Sequence, residues 1–241
     1  MATCTLHADA QVLDLDVLNR SWLSLSPTRR IECALEHLPE TAVLSSSFGM
    51  QAALMLHLVT QVRPEMPIVF IDTGYHFAET YRFVDQLSER LKLNLNVFRS
   101  PTSPAWQEAR HGKRWEQGLS GIQSYNHENK VEPMQRALRE LGASTWFSGL
   151  RRGQSSSRAG VHFIERQWQC YKIHPVADWG DRDVHQYLSR HDLPYHPLRE
   201  KGYLSIGDWH TTRSVHEVGD DTDQLRFFGL ARECGLHQVG S

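Results

Sequence analysis

Short apolar segments rich in β-branched and aromatic residues alternate along the chain with longer segments whose apolar positions recur at helical spacing. The short segments predict β-strands at residues 41–45, 67–72, 95–98 and 145–150. The longer segments predict helices at residues 50–59, 77–91, 133–141 and 181–191. This alternation indicates an α/β fold, a mostly parallel twisted sheet with helices on both faces. We therefore expect ligands to bind at the carboxyl ends of the strands.

The pattern weakens after about residue 195. Residues 201–208 are rich in turn-forming types and have no clear period, and residues 214–224 are polar and acidic. The sequence therefore predicts an α/β domain over residues 1–213 and a mobile C-terminal tail over residues 214–241.

The composition excludes several classes of protein. Forty per cent of the 241 residues are hydrophobic and 22% are charged, which is typical of an ordered globular chain. The formal net charge of −2 argues against bulk nucleic-acid binding. No apolar run approaches the roughly 20 residues that cross a bilayer, and residues 1–18 contain three Asp but no Lys or Arg, unlike a signal peptide. We expect a cytoplasmic protein.

The cysteines and histidines give little indication of a metal site. The 14 histidines are scattered, and no HExxH motif occurs. Zinc and iron–sulfur sites usually need paired cysteines, but no two cysteines are close in sequence. The four are Cys4, Cys33, Cys170 and Cys234.

The first candidate site follows the first predicted strand. Ser45, Ser46, Ser47, Phe48 and Gly49 lead directly into a predicted helix. The N–H groups of a helix start are unpaired and lie at the positive end of its dipole, so they favour an anion. The absence of a lysine after the glycine distinguishes the segment from a P-loop. The alternative is a helix start that is simply capped by serine.

Two further polar segments follow later strands. In the segment Asp72, Thr73 and Gly74, the carboxylate beside a glycine turn could accept hydrogen bonds from ribose hydroxyls or an adenine amino group; the alternative is a helix cap and turn. Residues 149–158 contain three arginines and three serines. Arginine matches phosphate and sulfate oxygens well, although a solvated basic loop is the alternative.

Cys234 lies in the polar tail. A free cysteine is usually a buried apolar residue, so one in a polar tail indicates use of its thiol. Arg232 and His237 could lower the pKa of that thiol, whereas Glu233 opposes the effect. The three strand-end segments and this thiol together predict a nucleotide with several negative groups and a cysteine nucleophile.

These segments, over about residues 34–237, closely resemble the 3′-phosphoadenylyl sulfate reductases of assimilatory sulfate reduction. The stretches that carry the resemblance include SSSFGMQAAL at 45–54, IDTGYHFAETYRF at 71–83, WFSGLRRGQSSSR at 146–158, KGYLSIGDWHTTR at 201–213 and RFFGLARECGLH at 226–237.

The resemblance implies a fold related to the adenine nucleotide α-hydrolases and a homodimer. It implies that Cys234 attacks the sulfo group to give an S-sulfocysteine, from which thioredoxin or glutaredoxin thiols release sulfite. The tail must then close over the nucleotide and reopen. The candidate substrate-binding residues are Ser45, Ser46, Ser47, Gly49, Asp72, Thr73, Gly74, Lys130, Arg151, Arg152, Gln154, Ser155, Arg158, Arg226, Arg232 and His237.

Sister enzymes that use adenylyl sulfate bind an iron–sulfur cluster through four cysteines. The corresponding segments here, residues 128–130 and 208–211, contain no cysteine. The resemblance therefore implies no metal or cluster and a substrate that carries the 3′-phosphate.

Two other classes remain open. A nucleotide α-hydrolase or adenylyltransferase would use the first loop for ATP and Mg²⁺, but its usual SGGxDS motif contains an Asp that residues 45–51 lack. A non-catalytic nucleotide sensor would tolerate loss of Cys234.

Overall fold

Six strands form one mixed sheet in the computed structural model, which describes residues 13–39, 41–219, 222–230 and 235–236. Their order across the sheet is β3-β2-β1-β4-β6-β5. All neighbours are parallel except the edge strand β5, which is antiparallel to β6. The strands are β1 Ala42–Ser45, β2 Pro67–Ile71, β3 Asn94–Phe98, β4 Thr145–Phe147, β5 Ile164–Gln167 and β6 Cys170–Ile173. The predicted mostly parallel α/β sheet is confirmed.

Helices connect the strands and cover the sheet. Several begin at residues suited to a cap: the hydroxyl of Ser26 accepts from the Arg29 N–H, and that of Ser103 accepts from the Trp106 N–H. The helices are α1 Leu15–Trp22, α2 Pro27–His37, α3 Ala52–Val62, α4 Ala78–Leu91, α5 Pro104–His111, α6 Gly118–Asn126, α7 Glu132–Glu140, α8 Asp181–Arg190 and α9 Val215–Val218.

Apolar side chains pack on both faces of the sheet because strand residues alternate in direction. In β1, Leu44 belongs to the larger apolar cluster, whereas its neighbour Val43 belongs to a smaller one with Met134 of α7 and Trp146 of β4. Both β1 residues are fully buried. The near-continuous apolar character of the central strands follows from this double coverage.

A π-helical turn, His127–Val131, joins α6 to α7 in one continuous helical segment. The N–H of Glu132 reaches the carbonyl of His127, five residues earlier. The helix predicted at residues 133–141 is confirmed as α7, but it continues from α6 through the π turn instead of starting a separate segment. The segment begins at Gly118, and Pro133, which has no N–H, lies just after the π turn.

Other sequence predictions differ from the structure at element ends. The strand predicted at 145–150 ends at Phe147. The N–H of Ser148 makes one more hydrogen bond to the Ile173 carbonyl of β6, and the chain then leaves the sheet as a loop. The sequence pattern does not predict β5 and β6, since each has only four residues, β5 contains three consecutive polar residues and β6 contains a lysine.

The chain after residue 195 adds short turns rather than long elements. A 3₁₀ turn, Pro197–Lys201, leads into an irregular loop, and α9 follows it. Isolated bridges join Thr212 to Arg226 and His76 to Asp208, so the described part of residues 214–230 pairs with the rest of the domain. The tail boundary at residue 214 stays a prediction. No helix in the described ranges has the length and apolar character needed to cross a bilayer.

Candidate active site

Three polar loops meet at one edge of the sheet because β2, β1 and β4 are neighbouring parallel strands. They are residues 45–49 after β1, residues 72–76 after β2 and residues 148–158 after β4. The segments singled out in the sequence thus share the edge at which ligands of parallel sheets bind.

The loop after β1 turns sharply before α3. The Ser46 hydroxyl accepts from the Phe48 N–H at 3.1 Å, and Phe48 has a φ of 48°, in the left-handed region. The Phe48 ring is buried edge-on against Phe70, with ring centres 5.3 Å apart. Among the described residues, no side chain caps the first turn of α3, in which the N–H groups of Ala52 and Leu54 bond to the carbonyls of Gly49 and Gln51.

The other members of this loop are fixed by their neighbours. The indole N–H of Trp146 on β4 donates to the Ser45 hydroxyl at 2.7 Å. A Cβ atom added at Gly49 would lie 3.4 Å from the Ser47 hydroxyl and 3.9 Å from the carbonyl of Ile206. The loop of residues 201–208 therefore passes beside the start of α3.

The loop after β2 is organised around Asp72. Its carboxylate accepts from the Gly74 N–H at 2.9 Å and from the Tyr81 hydroxyl at 2.7 Å. Burial, with a smaller contribution from the hydrogen bond to Asp72, raises the pKa of the Tyr81 phenol. Gly74 has a φ of 73°, and a Cβ there would lie 2.5 Å from Pro104, so the turn requires glycine.

Arg151 joins the loop after β4 to the loop after β1. Its buried guanidinium donates to the Gln51 side chain, to the Asp181 carboxylate at 2.9 Å and to the Trp179 carbonyl at 3.2 Å. Gln51 directly precedes α3. Three acceptors therefore orient Arg151, and its charge is shared with Asp181.

The remaining polar residues of this loop form a local network. Gln154 accepts from the Arg151 N–H and from the Arg158 guanidinium, at 3.1 and 2.5 Å. The hydroxyls of Ser155 and Ser157 lie 2.8 Å apart. Arg152 donates through Nε to the Val161 carbonyl at 2.7 Å, and its guanidinium carbon lies 4.8 Å from the centre of the Phe163 ring. Gln154 thus joins Arg158 to the backbone of Arg151 within this loop.

Lys130 and Asp208 form a buried ion pair below the loop after β2. The Lys130 Nζ lies 2.6 Å from the Asp208 Oδ2, and Thr73 donates to Oδ1 of the same carboxylate at 2.6 Å. Asp208 is fully buried. Burial raises the pKa of the Asp208 carboxyl, but Lys130, His76 and the hydrogen bonds together outweigh it and hold the pKa below its usual value. The charge of Lys130, a candidate substrate-binding residue, is thus balanced by Asp208.

Aromatic rings surround this ion pair. His210 stacks on Trp115 with ring centres 3.7 Å apart, and Tyr75 and Tyr125 meet its edge at 4.8 and 5.2 Å. Neither ring nitrogen of His210 has a hydrogen-bond partner among the described residues. Burial lowers the pKa of His210 to about 4, so the ring is neutral at pH 7.

Arg226 holds the loop of residues 205–207. Its Nη1 donates to the Ser205 hydroxyl at 3.2 Å and to the Ile206 carbonyl at 3.0 Å. A Cβ at Gly207 would lie 2.2 Å from Nη2 of this guanidinium. The Ile206 carbonyl also lies beside Gly49, so one residue, Ile206, separates Arg226 from the loop after β1 in space.

The predicted nucleophile, Cys234, lies outside the described residues, as do Arg232 and His237. Their roles stay predictions. Cys33 and Cys170 are both buried, as expected for structural cysteines. The Cys170 thiol donates to the Ala143 carbonyl at 3.2 Å, and burial raises its pKa.

Sequence reasoning missed three residues that hold the site together. Gln51 directly precedes α3, and its side chain accepts a hydrogen bond from Arg151. Trp146 lies in β4, and its indole N–H donates to Ser45. The sequence marks Asp208 only as part of a segment that lacks the cysteines of the cluster-binding enzymes. Its position in a turn-rich segment gives no signal of burial, and only the spatial meeting with Lys130 reveals its role.

Comparisons with known proteins agree with this geometry. The family model described as "Phosphoadenosine phosphosulfate reductase domain" matches residues 41–214. The chain is 57% identical over 233 residues to a phosphoadenosine 5′-phosphosulfate reductase of Serratia proteamaculans, which covers 97% of this chain and 95% of the relative.

Two solved structures have the same fold. A phosphoadenylyl-sulfate reductase from Candida auris, a phosphate complex, superposes with a TM-score of 0.73 at 28% identity, over 86% of this chain and all of that chain. An FMN adenylyltransferase from Candida glabrata gives a TM-score of 0.59 at 16% identity, over 88% of this chain and 70% of that one, and shows a likeness of fold alone. The chain belongs to the phosphoadenosine phosphosulfate reductase family.

Proposed function

We propose that this chain reduces 3′-phosphoadenylyl sulfate to sulfite and adenosine 3′,5′-bisphosphate in assimilatory sulfate reduction. The observation that carries the proposal is the family match over residues 41–214. The convergence of hydroxyls, an uncapped helix start and arginines on one sheet edge supports it, because these groups suit a polyanionic nucleotide.

The chemistry divides one reduction into two thiol steps. The Cys234 thiolate attacks the sulfur of the sulfo group, a sulfur–sulfur bond forms, and the bond from that sulfur to the phosphate oxygen breaks. The oxygen keeps the electron pair, so the bisphosphate leaves. A thiolate of thioredoxin or glutaredoxin then attacks the Cys234 sulfur and displaces sulfite. The second thiol of that reductant resolves the mixed disulfide, so the reductant is oxidised and Cys234 is regenerated.

The binding groups divide the charges of the substrate. The hydroxyls of residues 45–47 and the start of α3 suit the phosphosulfate. The guanidiniums of Arg152 and Arg158 in the third loop suit further phosphate oxygens, and Arg151 is paired with Asp181 in the structure. Arg226 and Arg232 add positive charge when the tail is closed. We expect a cytoplasmic homodimer that acts on neither membranes nor nucleic acids.

The proposed enzyme works without an iron–sulfur cluster. Residues 128–130 and 208–211, which replace the cysteine segments of the cluster-binding type, contribute Lys130 and Asp208 to the buried ion pair. Neither segment contains a cysteine that could supply a thiolate ligand to a cluster, and the two segments form a charged pair instead. Both observations support the proposal. Iron and acid-labile sulfide in the purified protein should be negligible, and one cluster per chain would overturn this part.

The deciding experiment is an intact-mass measurement after reduced protein is mixed with 3′-phosphoadenylyl sulfate and no reductant. We expect one added sulfo group, located on the peptide that contains Cys234 and removed by thioredoxin or glutaredoxin. The Cys234→Ser variant should bind nucleotide and form neither adduct nor sulfite. Cys170→Ser is the matched control, because that buried thiol should not take part.

Other outcomes would favour the other classes. Sulfite production by Cys234→Ser would falsify the cysteine mechanism. Nucleotide binding without any adduct in the wild-type chain would favour a sensor, and ATP turnover with Mg²⁺ would favour an adenylyltransferase or hydrolase.

A further inference from the structure

Gly235 and Leu236, which follow Cys234 in the sequence, are docked against the β5–β6 hairpin. The Leu236 carbonyl accepts two hydrogen bonds, from the Gln167 amide Nε2 at 3.0 Å and from the Lys172 ammonium at 3.1 Å. Gln167 ends β5 and Lys172 lies in β6, so both donors come from the antiparallel edge of the sheet. Both lone pairs of this carbonyl are thus used.

Two further contacts hold the same segment. The Leu236 side chain packs on the smaller apolar cluster, which includes Trp146, Cys170 and Met134. Gly235 has a φ of 83°, and a Cβ there would lie 3.2 Å from the Val131 side chain. An apolar anchor, a pair of donors and a left-handed glycine therefore fix one backbone path.

Lys172 connects this docking point to the proposed substrate loop. Its side chain is fully buried, and its Nζ lies 4.2 Å from the centre of the Trp146 ring. The indole N–H of Trp146 donates to Ser45. The Gln167 Oε1 accepts from Lys172, which orients the amide so that its Nε2 faces Leu236. The groups that hold the tail thus touch the groups that hold the loop after β1.

We propose that Gln167 and Lys172 are positioning residues that dock the C-terminal segment and so present the Cys234 thiol to the sulfo group. Consecutive Cα atoms lie 3.8 Å apart, so fixing Gly235 limits the reach of its covalent neighbour. The catalytic part of this inference rests on the proposed function, whereas the docking itself does not.

The test compares two Gln→Leu substitutions on one hairpin. Gln167→Leu removes the neutral donor to Leu236 and also the acceptor of the buried Lys172 ammonium, whereas Gln169→Leu changes an exposed residue in the turn between the strands. Loss of the neutral bond to Leu236 alone, roughly 1 kcal/mol, corresponds to about a fivefold change and is the smallest effect expected. We expect Gln167→Leu to slow single-turnover adduct formation at saturating substrate about fivefold or more, with the Kd for adenosine 3′,5′-bisphosphate unchanged within about twofold. Gln169→Leu should match the wild-type chain.

A second measurement does not depend on the reaction. Alkylation of Cys234 by iodoacetamide, followed by peptide mass, should be severalfold faster in Gln167→Leu and in Lys172→Met than in Gln169→Leu. Thermal unfolding of each variant checks that the fold is kept. Equal alkylation rates in folded Gln167→Leu and Gln169→Leu would overturn the docking.

The two proposals fail in different ways. If the wild-type chain forms no adduct but Gln167→Leu still exposes Cys234 to alkylation, the proposed function fails and the docking stands. If the wild-type chain forms the adduct and Gln167→Leu forms it equally fast, the positioning role fails and the proposed function stands.

Discussion

Lys130 and Asp208 meet at 2.6 Å inside the protein, although 78 positions separate them in the chain (208 minus 130). One lies in the π turn and the other in the loop after α8, and Thr73 from the loop after β2 bonds to the same carboxylate. The pair therefore fixes three separate segments beneath the candidate site. A buried pair of this kind is worth little by itself, but loss of one partner leaves an uncompensated buried charge.

Asp208→Asn should destabilise the protein strongly for that reason. We expect the free energy of unfolding, measured by urea titration, to fall by roughly 3–5 kcal/mol. Glu79→Gln is the matched control, because its ion pair with Lys201 lies on the surface and should contribute less than about 1 kcal/mol. Similar losses in the two variants would show that the buried pair has no special role.

Stability should also fall as pH drops from about 6.5 to about 4. Burial lowers the pKa of His210, and likewise that of His196, to about 4 in the folded protein. In the unfolded chain the two imidazoles bind protons at about pH 6.5, before the folded protein can. Keeping both histidines neutral therefore costs no stability above pH 6.5, and the free energy of unfolding decreases as pH falls from 6.5 to 4. Asp208 acts lower, because its depressed pKa contributes stability that is lost only below about pH 4.

His210→Phe keeps the stack on Trp115 and removes one of these titrations. We expect the wild-type chain to lose roughly 2 kcal/mol more than this variant between pH 6.5 and pH 4, with His196 still contributing to both. Urea titrations across the pH range give the comparison. Parallel pH profiles would contradict a buried neutral histidine at position 210.

Gly74→Ala should disturb the loop after β2. Its φ is positive, and the added Cβ would lie 2.5 Å from Pro104. Gly142→Ala is a useful control, because Gly142 also has a positive φ but nothing lies within 4 Å of its Cβ position. We expect the free energy of unfolding to fall by about 1 kcal/mol in Gly142→Ala, from backbone strain alone, and by clearly more in Gly74→Ala. Nucleotide binding should weaken only in Gly74→Ala. Calorimetric melting and equilibrium binding measure these two effects.

Arg152→Ala should weaken binding of adenosine 3′,5′-bisphosphate by about 10-fold or more at low salt, as expected for a charge-assisted contact. The difference should shrink as salt rises. Arg182→Ala removes an exposed arginine on α8 and should leave binding unchanged. Isothermal titration at two salt concentrations checks the prediction, and an unchanged Kd for Arg152→Ala at both would remove that residue from the site.

The sequence predicts the central architecture well because local signals and burial agree there. Strands such as Pro67–Ile71 are apolar throughout and are covered on both faces, so their pattern and their position coincide. The polar loops follow these strands, so the sequence alone predicts that they share one edge of the sheet.

Features that depend on distant partners could not be predicted in this way. Lys172 is fully buried in β6, against Trp146 and the Leu236 carbonyl, whereas a lysine in a polar stretch of sequence is expected to be exposed. The residues after 195 lack periodicity because side-chain contacts such as those of Arg226, rather than a repeating apolar face, hold them in place.

The π turn between α6 and α7 contains one residue more than an α-helical turn, because its hydrogen bond reaches five residues back rather than four. Deleting one residue within His127–Val131 would therefore convert the turn to α-helix and keep the following helix in register, with Met134 and Ala137 still in the apolar cluster that they fill now. The extra residue acts locally, since it sets the direction in which Lys130 leaves the helix towards Asp208. Its deletion would thus disturb that ion pair rather than the packing of α7.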